Sequence, residues 1–308
     1  MSAEVLHQTS SRLGARDPAP PAWLHALLGP TLLRHGSRAA GGIEVDVVRA
    51  DMHALVSVHV PRARSLSAAD LRQNTADAYA QIGRALRELA EFGAGYPVRF
   101  WNHIPGVLDD TGGGQNRYMA FNAGRFAAFT TWYGDVDAFD HRVATATGVG
   151  HVGDDLVIHC LSSRVPGIAI TNPRQTPPHR YSRRYGPLPP CFARATLLAS
   201  SRQLFVGGTA SVVGEDSLHA GDLAAQFQET IINLAAISDS AFGSAATLEI
   251  ALARYRALRV YYSNVQDRSR LAAVLTGAFP TLHEIEWIHA DLCRADLLVE
   301  IEGLASAD

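Results

Sequence analysis

The sequence predicts an α+β fold built from two tandem modules, each a mixed sheet with helices on one face. Three observations point there. The hydrophobic period switches repeatedly between two and 3.6 residues, as alternating strands and helices require. The order strand pair, helix, strand, helix, strand occurs twice along the chain. A length of 308 residues is long for one core and suits two domains.

The elements follow in order. Residues 43–60, "IEVDVVRADMHALVSVHV", alternate on either side of a polar middle and predict a β-hairpin. Ser67, with Asp70 three residues on, is a helix start signal. Leu71, Thr75, Ala78, Ile82 and Leu89 then repeat at helical spacing. "YPVRFWNHIP" (96–105) reads as a strand, "NRYMAFNAGRFAAFTTWY" (116–133) as a second helix and "DDLVIHCLSS" (154–163) as another strand. The second half repeats this order. A strand pair falls at 193–213, a helix at 221–238, a strand at 257–264, a helix at 267–279 and the last strands at 283–303. Asp70-Leu71 corresponds to Asp222-Leu223, and "VRFW" (98–101) to "LRVY" (258–261). The modules are placed at 1–170 and 171–308, meeting within the 163–195 connection.

Bulk properties exclude several classes. Net charge is −3 and no Lys/Arg block stands out, which argues against nucleic acid or an anionic membrane as the main partner. No apolar run reaches the ~20 residues needed to span a bilayer. The N-terminus, "MSAEVLHQTSSRLGARDPAPPAW", lacks the apolar region of a signal peptide and reads as a loose leader. Three widely spaced cysteines, Cys160, Cys191 and Cys293, match no metal spacing and fit a reducing cytoplasm. No phosphate loop or dinucleotide fingerprint occurs, so no cofactor is expected. "DDTGGGQN" (109–116) reads as a flexible turn or lid.

Two stretches invite a functional reading. Residues 171–195, "TNPRQTPPHRYSRRYGPLPPCFARA", hold six prolines and five arginines. Proline at this density excludes helix and central strand. The stretch is either an ordered surface connection with solvated arginines or a wall for an anionic ligand, since guanidinium forks a carboxylate. Near the C-terminus, "LLVEIEG" (297–303) alternates. Val299 and Ile301 point one way, Glu300 and Glu302 the other. An exposed strand face explains both acids most cheaply. A carboxylic acid held in an apolar pocket explains Glu300 differently, because burial raises its pKa and makes it a proton donor.

The second module resembles the RidA/YjgF family of imine-processing proteins at "YGP" and "FARA", "LFVGGTAS", "DLAAQFQETIINL" and "VEIEG". The family's functional glutamate corresponds to Glu300. Its partner arginine is expected about 15 residues earlier, where "HEIEWIHA" has none, which counts against imine hydrolysis. A closer resemblance covers most of the chain. "VRFWNHIPG" (98–106), "NRYMAFNAGR" (116–125), "TNPRQ" with "RRYGPLPPCFARA", "GGTASVVGEDSLHAGD" (207–222) and "HADLCRADLLVEIEG" (289–303) together are similar to the chorismatases. These are two RidA-like modules fused in one chain, which cleave the enolpyruvyl ether of chorismate and release pyruvate.

The resemblance implies a catalytic role for Glu300 as the acid that protonates the enol carbon, and leaves Glu302 as a solvated or structural residue. Tyr118 and Arg125, seven apart on one helix face, become candidates to clamp a substrate carboxylate. Arg174, Tyr185 and Arg194 from the basic connection form a second substrate-binding group. A cysteine at position 293 resembles the hydroxybenzoate-forming branch, so the resemblance implies 3-hydroxybenzoate, with 4-hydroxybenzoate as an optional second product. The alternatives are hydrolysis to a dihydroxycyclohexadiene carboxylate and, further off, a RidA-like imine deaminase. The histidines receive no role, and assembly is open between a monomer and a small homo-oligomer.

Overall fold

The computed structural model describes residues 18–30, 33–282 and 284–307, with the backbone alone over 33–40. The first module opens with α1 (Leu24–Leu28), β1 (Leu33–Ala40), β2 (Ile43–Arg49) and β3 (His53–Val60). Helix α2 (Ala68–Ala90) starts where Ser67 Oγ accepts the Asp70 amide at 3.2 Å, the cap its sequence predicts. It buries Leu71, Ala78, Ile82 and Leu89 against the sheet. Next come β4 (Tyr96–Pro105), a small hairpin of β5 (Asp110–Gly112) and β6 (Gln115–Asn116), and helix α3 (Arg117–Tyr133) capped by Asn116. A Cβ on Gly124 of α3 would stand 2.3 Å from the Arg72 carbonyl, so glycine is what lets α2 and α3 pack so closely. The short α4 (Phe139–Arg142), β7 (Thr145–His151) and β8 (Leu156–Ser163) complete the module.

The second module contains β9 (Ile168–Ile170), β10 (Ala195–Leu198), β11 (Gln203–Ala210), the small hairpin β12 (Val212–Val213) and β13 (Asp216–Ser217), and α5 (Leu223–Phe242). It continues with α6 (Leu248–Leu252), β14 (Tyr255–Tyr262), α7 (Arg268–Ala278), β15 (Ile285–His289) and β16 (Val299–Ser306). The strand orders are β1-β2-β3-β8-β4-β7 and β9-β10-β11-β16-β14-β15. Each strand of one sheet thus has a counterpart in the other. In both, the last helix crossover yields one parallel pair, β4 with β7 and β14 with β15. The duplication expected from the sequence is therefore one of topology, and β9, just before residue 171, already belongs to the second sheet.

Helices cover the outer face of each sheet and the inner faces meet. Val98, Trp101 and Leu161 of the first sheet pack with Leu198, Phe205 and Ala257 of the second. Trp23 closes one end of this layer, its ring centroid 5.7 Å from Trp101 and 6.0 Å from Phe205. The loose leader expected over 1–23 is corrected here for its last residues: Pro18 to Trp23 are docked. The Pro18 carbonyl meets His159 Nε2 at 3.0 Å, and the Ala19 carbonyl accepts from Arg259 at 3.1 Å. Residues 1–17 lie outside the described residues. The 171–195 connection forms two short 3-10 turns, at Pro178–Arg180 and Arg183–Tyr185. Its proline content predicted no helix or central strand there.

Candidate active site

Three pieces of chain meet between the modules: the start of α3, the connection, and β11 with the loop leading into β16. They enclose a cavity of about 520 Å³, large enough for a small organic acid. Strand period decides which side chains reach it. In β16, Val299 and Ile301 enter the helix-side core, which sends Glu300 and Glu302 toward the other module.

Glu300 lines the cavity and is 4% exposed. The pairing of β11 with β16 slips between Val206 and Thr209, so Gly207 and Gly208 leave the regular ladder. A Cβ on Gly208 would stand 1.8 Å from Glu300 Oε1; the carboxyl lies against bare backbone. Burial first, and the neighbouring Glu302 second, push the Glu300 acid up to about 8, against the pull of Arg99, Arg294 and Arg194. At neutral pH it holds its proton.

Glu302 is fully buried, which corrects the solvated-face reading. Arg99 donates to its Oε2 at 2.7 Å, Trp101 Nε1 to its Oε1 at 2.8 Å, and Thr147 Oγ1 to its Oε2 at 2.5 Å. The acid thus ties β16 to β4 and β7 of the first module, a structural role across the interface.

The cavity wall gathers four more sequence candidates. Tyr118, in the first turn of α3, reaches it with a phenol that burial holds protonated. Cys293 is half-buried there, its thiol pushed up to about 12 by desolvation and the nearby Glu300, so it is a thiol rather than a thiolate nucleophile. Tyr185 lines the cavity and donates to the Glu215 carbonyl at 2.5 Å. Arg194 is buried, donates to Tyr181 Oη at 2.7 Å and to the Thr176 carbonyl at 2.9 Å, and keeps a buried Nε without a partner.

Two candidates sit elsewhere. Arg125 lies two turns along α3, 1% exposed, its guanidinium 5.2 Å from the Phe121 ring centre and 5.6 Å from that of Phe192, which does line the cavity. It is behind the wall. Arg174 pairs with Glu229 at 2.7 Å and donates to Asn233 at 2.9 Å, anchoring the connection to α5.

One cation was missed by the sequence reading. Arg294 lines the cavity with its guanidinium 4.0 Å from the centre of the Tyr185 ring, and its Nη1 is held by the Glu215 carbonyl at 2.8 Å and Ser217 Oγ at 3.1 Å. Among the described residues, neither Arg194 nor Arg294 has a carboxylate within ion-pairing distance. Both are therefore positive charges available to an anionic ligand. The signal was adjacency to Cys293, six residues before Glu300, whereas an arginine was expected about 15 before it.

Among the described residues no three His, Cys, Asp or Glu side chains converge as a metal site, and no helix is long and apolar enough to cross a membrane. The arrangement presents a proton donor, two cations and phenol and thiol groups to one small-molecule cavity.

The chain is also similar to known proteins. The family described as "Chorismatase FkbO/Hyg5-like, N-terminal" matches residues 35–162. A protein of Streptomyces hygroscopicus named 3-hydroxybenzoate synthase is 36% identical over 227 residues, 70% of this chain and 65% of its own length. A protein from the same organism named chorismatase is 30% identical over 239 residues, 75% of this chain and 67% of its own length. The match thus spans about two thirds of these relatives. A crystal structure of a chorismatase superposes with a TM-score of 0.74 at 26% identity, covering 89% of this chain and 80% of that one. In sequence and in fold, the chain belongs to the chorismatase family.

Proposed function

We propose that the protein cleaves the enolpyruvyl ether of chorismate to pyruvate and 3-hydroxybenzoate. The observation that carries the reading is Glu300: a buried carboxyl in the wall of the cavity, protonated near neutral pH and beside two cations without acidic partners. Chorismate is a dianion with an enol ether. Arg194 and Arg294 supply the charges for its carboxylates and Tyr118 supplies a hydroxyl, while Tyr185, its proton given to the Glu215 carbonyl, carries Arg294 on its ring. Glu300 gives its proton to the terminal methylene carbon, which becomes a methyl group. The ether carbon takes up the positive charge, shared with its oxygen, and the bond from that oxygen to the ring breaks. The ring keeps its C4 hydroxyl oxygen, which closes on C3 as the ether leaves and gives its proton to the Glu300 carboxylate. The C4–O bond of this epoxide then breaks, and loss of the C3 proton makes the ring aromatic as 3-hydroxybenzoate, whereas direct loss of the C4 proton gives 4-hydroxybenzoate. Pyruvate and hydroxybenzoate together contain the atoms of chorismate with no water added, whereas the diene-diol branch takes up one water.

The support for 3-hydroxybenzoate is the relative bearing that name, together with Cys293 in the cavity wall. 4-Hydroxybenzoate is the second aromatic product to look for. Free Cys160, Cys191 and Cys293 support a reducing cytoplasm, and a cavity built from both modules of one chain supports action as a monomer. The test is incubation of the purified protein with chorismate, following pyruvate and ring products by chromatography. Pyruvate with hydroxybenzoate is expected. Pyruvate with a diene diol would overturn the product, and no pyruvate would overturn the activity.

A further inference from the structure

Glu302 is the buried charge that the chemistry above does not use. It lies two residues from Glu300 on the same face of β16, paired across the module interface with Arg99. The Thr147 hydroxyl stands between the two acids. It accepts from Arg99 Nη2 at 2.5 Å and from the Gly208 amide at 2.9 Å, and donates to Glu302 Oε2 at 2.5 Å. Gly208 is the backbone against which the Glu300 carboxyl rests. A continuous chain of bonds therefore runs from Glu302 to the wall that holds the acid.

We infer that Glu302 is a positioning residue for Glu300, fixing through Arg99, Thr147 and the Gly208 amide both where the acid sits and the charge it carries. The inference rests on Glu300 being the acid of the proposed reaction. Stability alone does not call for this pair, because well-packed apolar side chains hold a buried interface at least as well as ions do. The surrounding charges show what the pair does. Glu300 is faced by Glu302 on its own strand, Tyr261 and Arg259 on β14, and Arg99 on β4. Tyr118 on α3, Arg194 from the connection, and Cys293 and Arg294 from the loop complete its surroundings. Burial holds both phenols and the thiol in their neutral forms. Asp216 and Asp296 line the same cavity but are exposed, so among the described residues around Glu300, Glu302 is the buried anion set against several guanidinium groups. Without it, the uncompensated cations favour loss of the Glu300 proton before substrate arrives.

The test is Glu302→Gln, which preserves shape and removes the charge. Glu300 is titrated in substrate-free protein by carbon NMR on labelled glutamate, with its signal assigned by loss in Glu300→Gln. In parallel, kcat/KM for chorismate is measured against pH. Both midpoints are expected to fall by about one pH unit or more, with KM little changed at low pH. A folded variant whose midpoints stay put overturns the inference. Thr147→Val provides a second arm that keeps the ion pair and cuts the bond to Gly208. Its kcat is expected to fall about tenfold or more at unchanged KM, and an unaltered kcat overturns the positioning role. If chorismate is not turned over at all, a lowered Glu300 midpoint in Glu302→Gln still supports the inference while the proposed activity fails. Normal turnover with an unmoved midpoint does the reverse.

Discussion

Replacing Glu300 with glutamine tests the centre of the mechanism, because it keeps the side chain's volume and removes its ionisable proton. The magnitude follows from the pocket. A glutamic acid at its ordinary value of 4.5 would be only about 0.3% protonated at pH 7, whereas one pushed up to about 8 is roughly 90% protonated. Burial and Glu302 thus raise the working fraction of acid about 300-fold before any chemistry begins. A positioned general acid is worth about 10²–10⁴-fold in rate, or roughly 3–5 kcal/mol of barrier. Glu300→Gln should lose that much of pyruvate release, followed by coupling pyruvate to lactate dehydrogenase. In the wild type, kcat/KM reports the free enzyme, so activity should hold below neutrality and fall as pH rises through about 8. A variant retaining more than a tenth of wild-type turnover would refute the acid role. So would a wild-type alkaline limb near the ordinary carboxyl range.

The same group leaves a mark on stability. Its folded pKa lies above its unfolded one, so its favourable contribution is complete below about 4.5 and is lost as pH rises through about 8. Relative to Glu300→Gln, the wild type should therefore become progressively less stable across that window, by at most roughly 5 kcal/mol, as read by urea denaturation at each pH. Gly208→Ala would place a methyl 1.8 Å from Glu300 Oε1 and force the carboxyl away; about 10²-fold loss of kcat with a native melting curve is expected. Arg294→Met keeps much of the packing on Tyr185 and removes a charge, so KM for chorismate should rise at least tenfold, measured by steady-state kinetics. Cys293→Ala should change the ratio of ring products more than total pyruvate, as read by chromatography.

Much of this was legible in the sequence because period and caps act locally. Ser67 capping α2 and the alternation of β16 both concern residues a few positions apart. Strand β7, "TATGVGH", passed unread because Gly148 and Gly150 interrupt any apolar alternation. Their reason is tertiary: a Cβ on Gly148 would meet the Tyr118 ring at 3.1 Å and one on Gly150 would meet Asp291 at 3.0 Å. The reading of Glu302 stayed open between solvated and structural because a strand pattern cannot show that a second sheet covers its polar face. Arg125 was paired with Tyr118 by helical spacing, but the cavity meets only the first turn of α3. Arg174 and Arg194 look alike in a basic connection. What separates them is the chain that folds beside each: Glu229 on α5 for one, the cavity for the other.

The internal repeat explains why the acid lies where it does. Strand order and register make Arg99 and Arg259 counterparts, and Trp101 and Tyr261 likewise. Opposite Tyr261 stands Glu300; opposite Trp101 stands His159. Opposite Arg259 stands Glu302; opposite Arg99 stands Leu161. Duplication therefore created two equivalent positions on the facing inner sheets. In the first module, His159 bonds Ser57 and the Pro18 carbonyl, and burial lowers its pKa to about 3, which leaves it neutral. With Leu161 beside it, that half of the interface carries no free acid and serves as support. The arginine of the same module is then available to reach across and pair with Glu302. A single module could not supply such a partner by itself. Fusing two modules lets one supply the acid and the other its electrostatic setting, and the cavity forms where they meet.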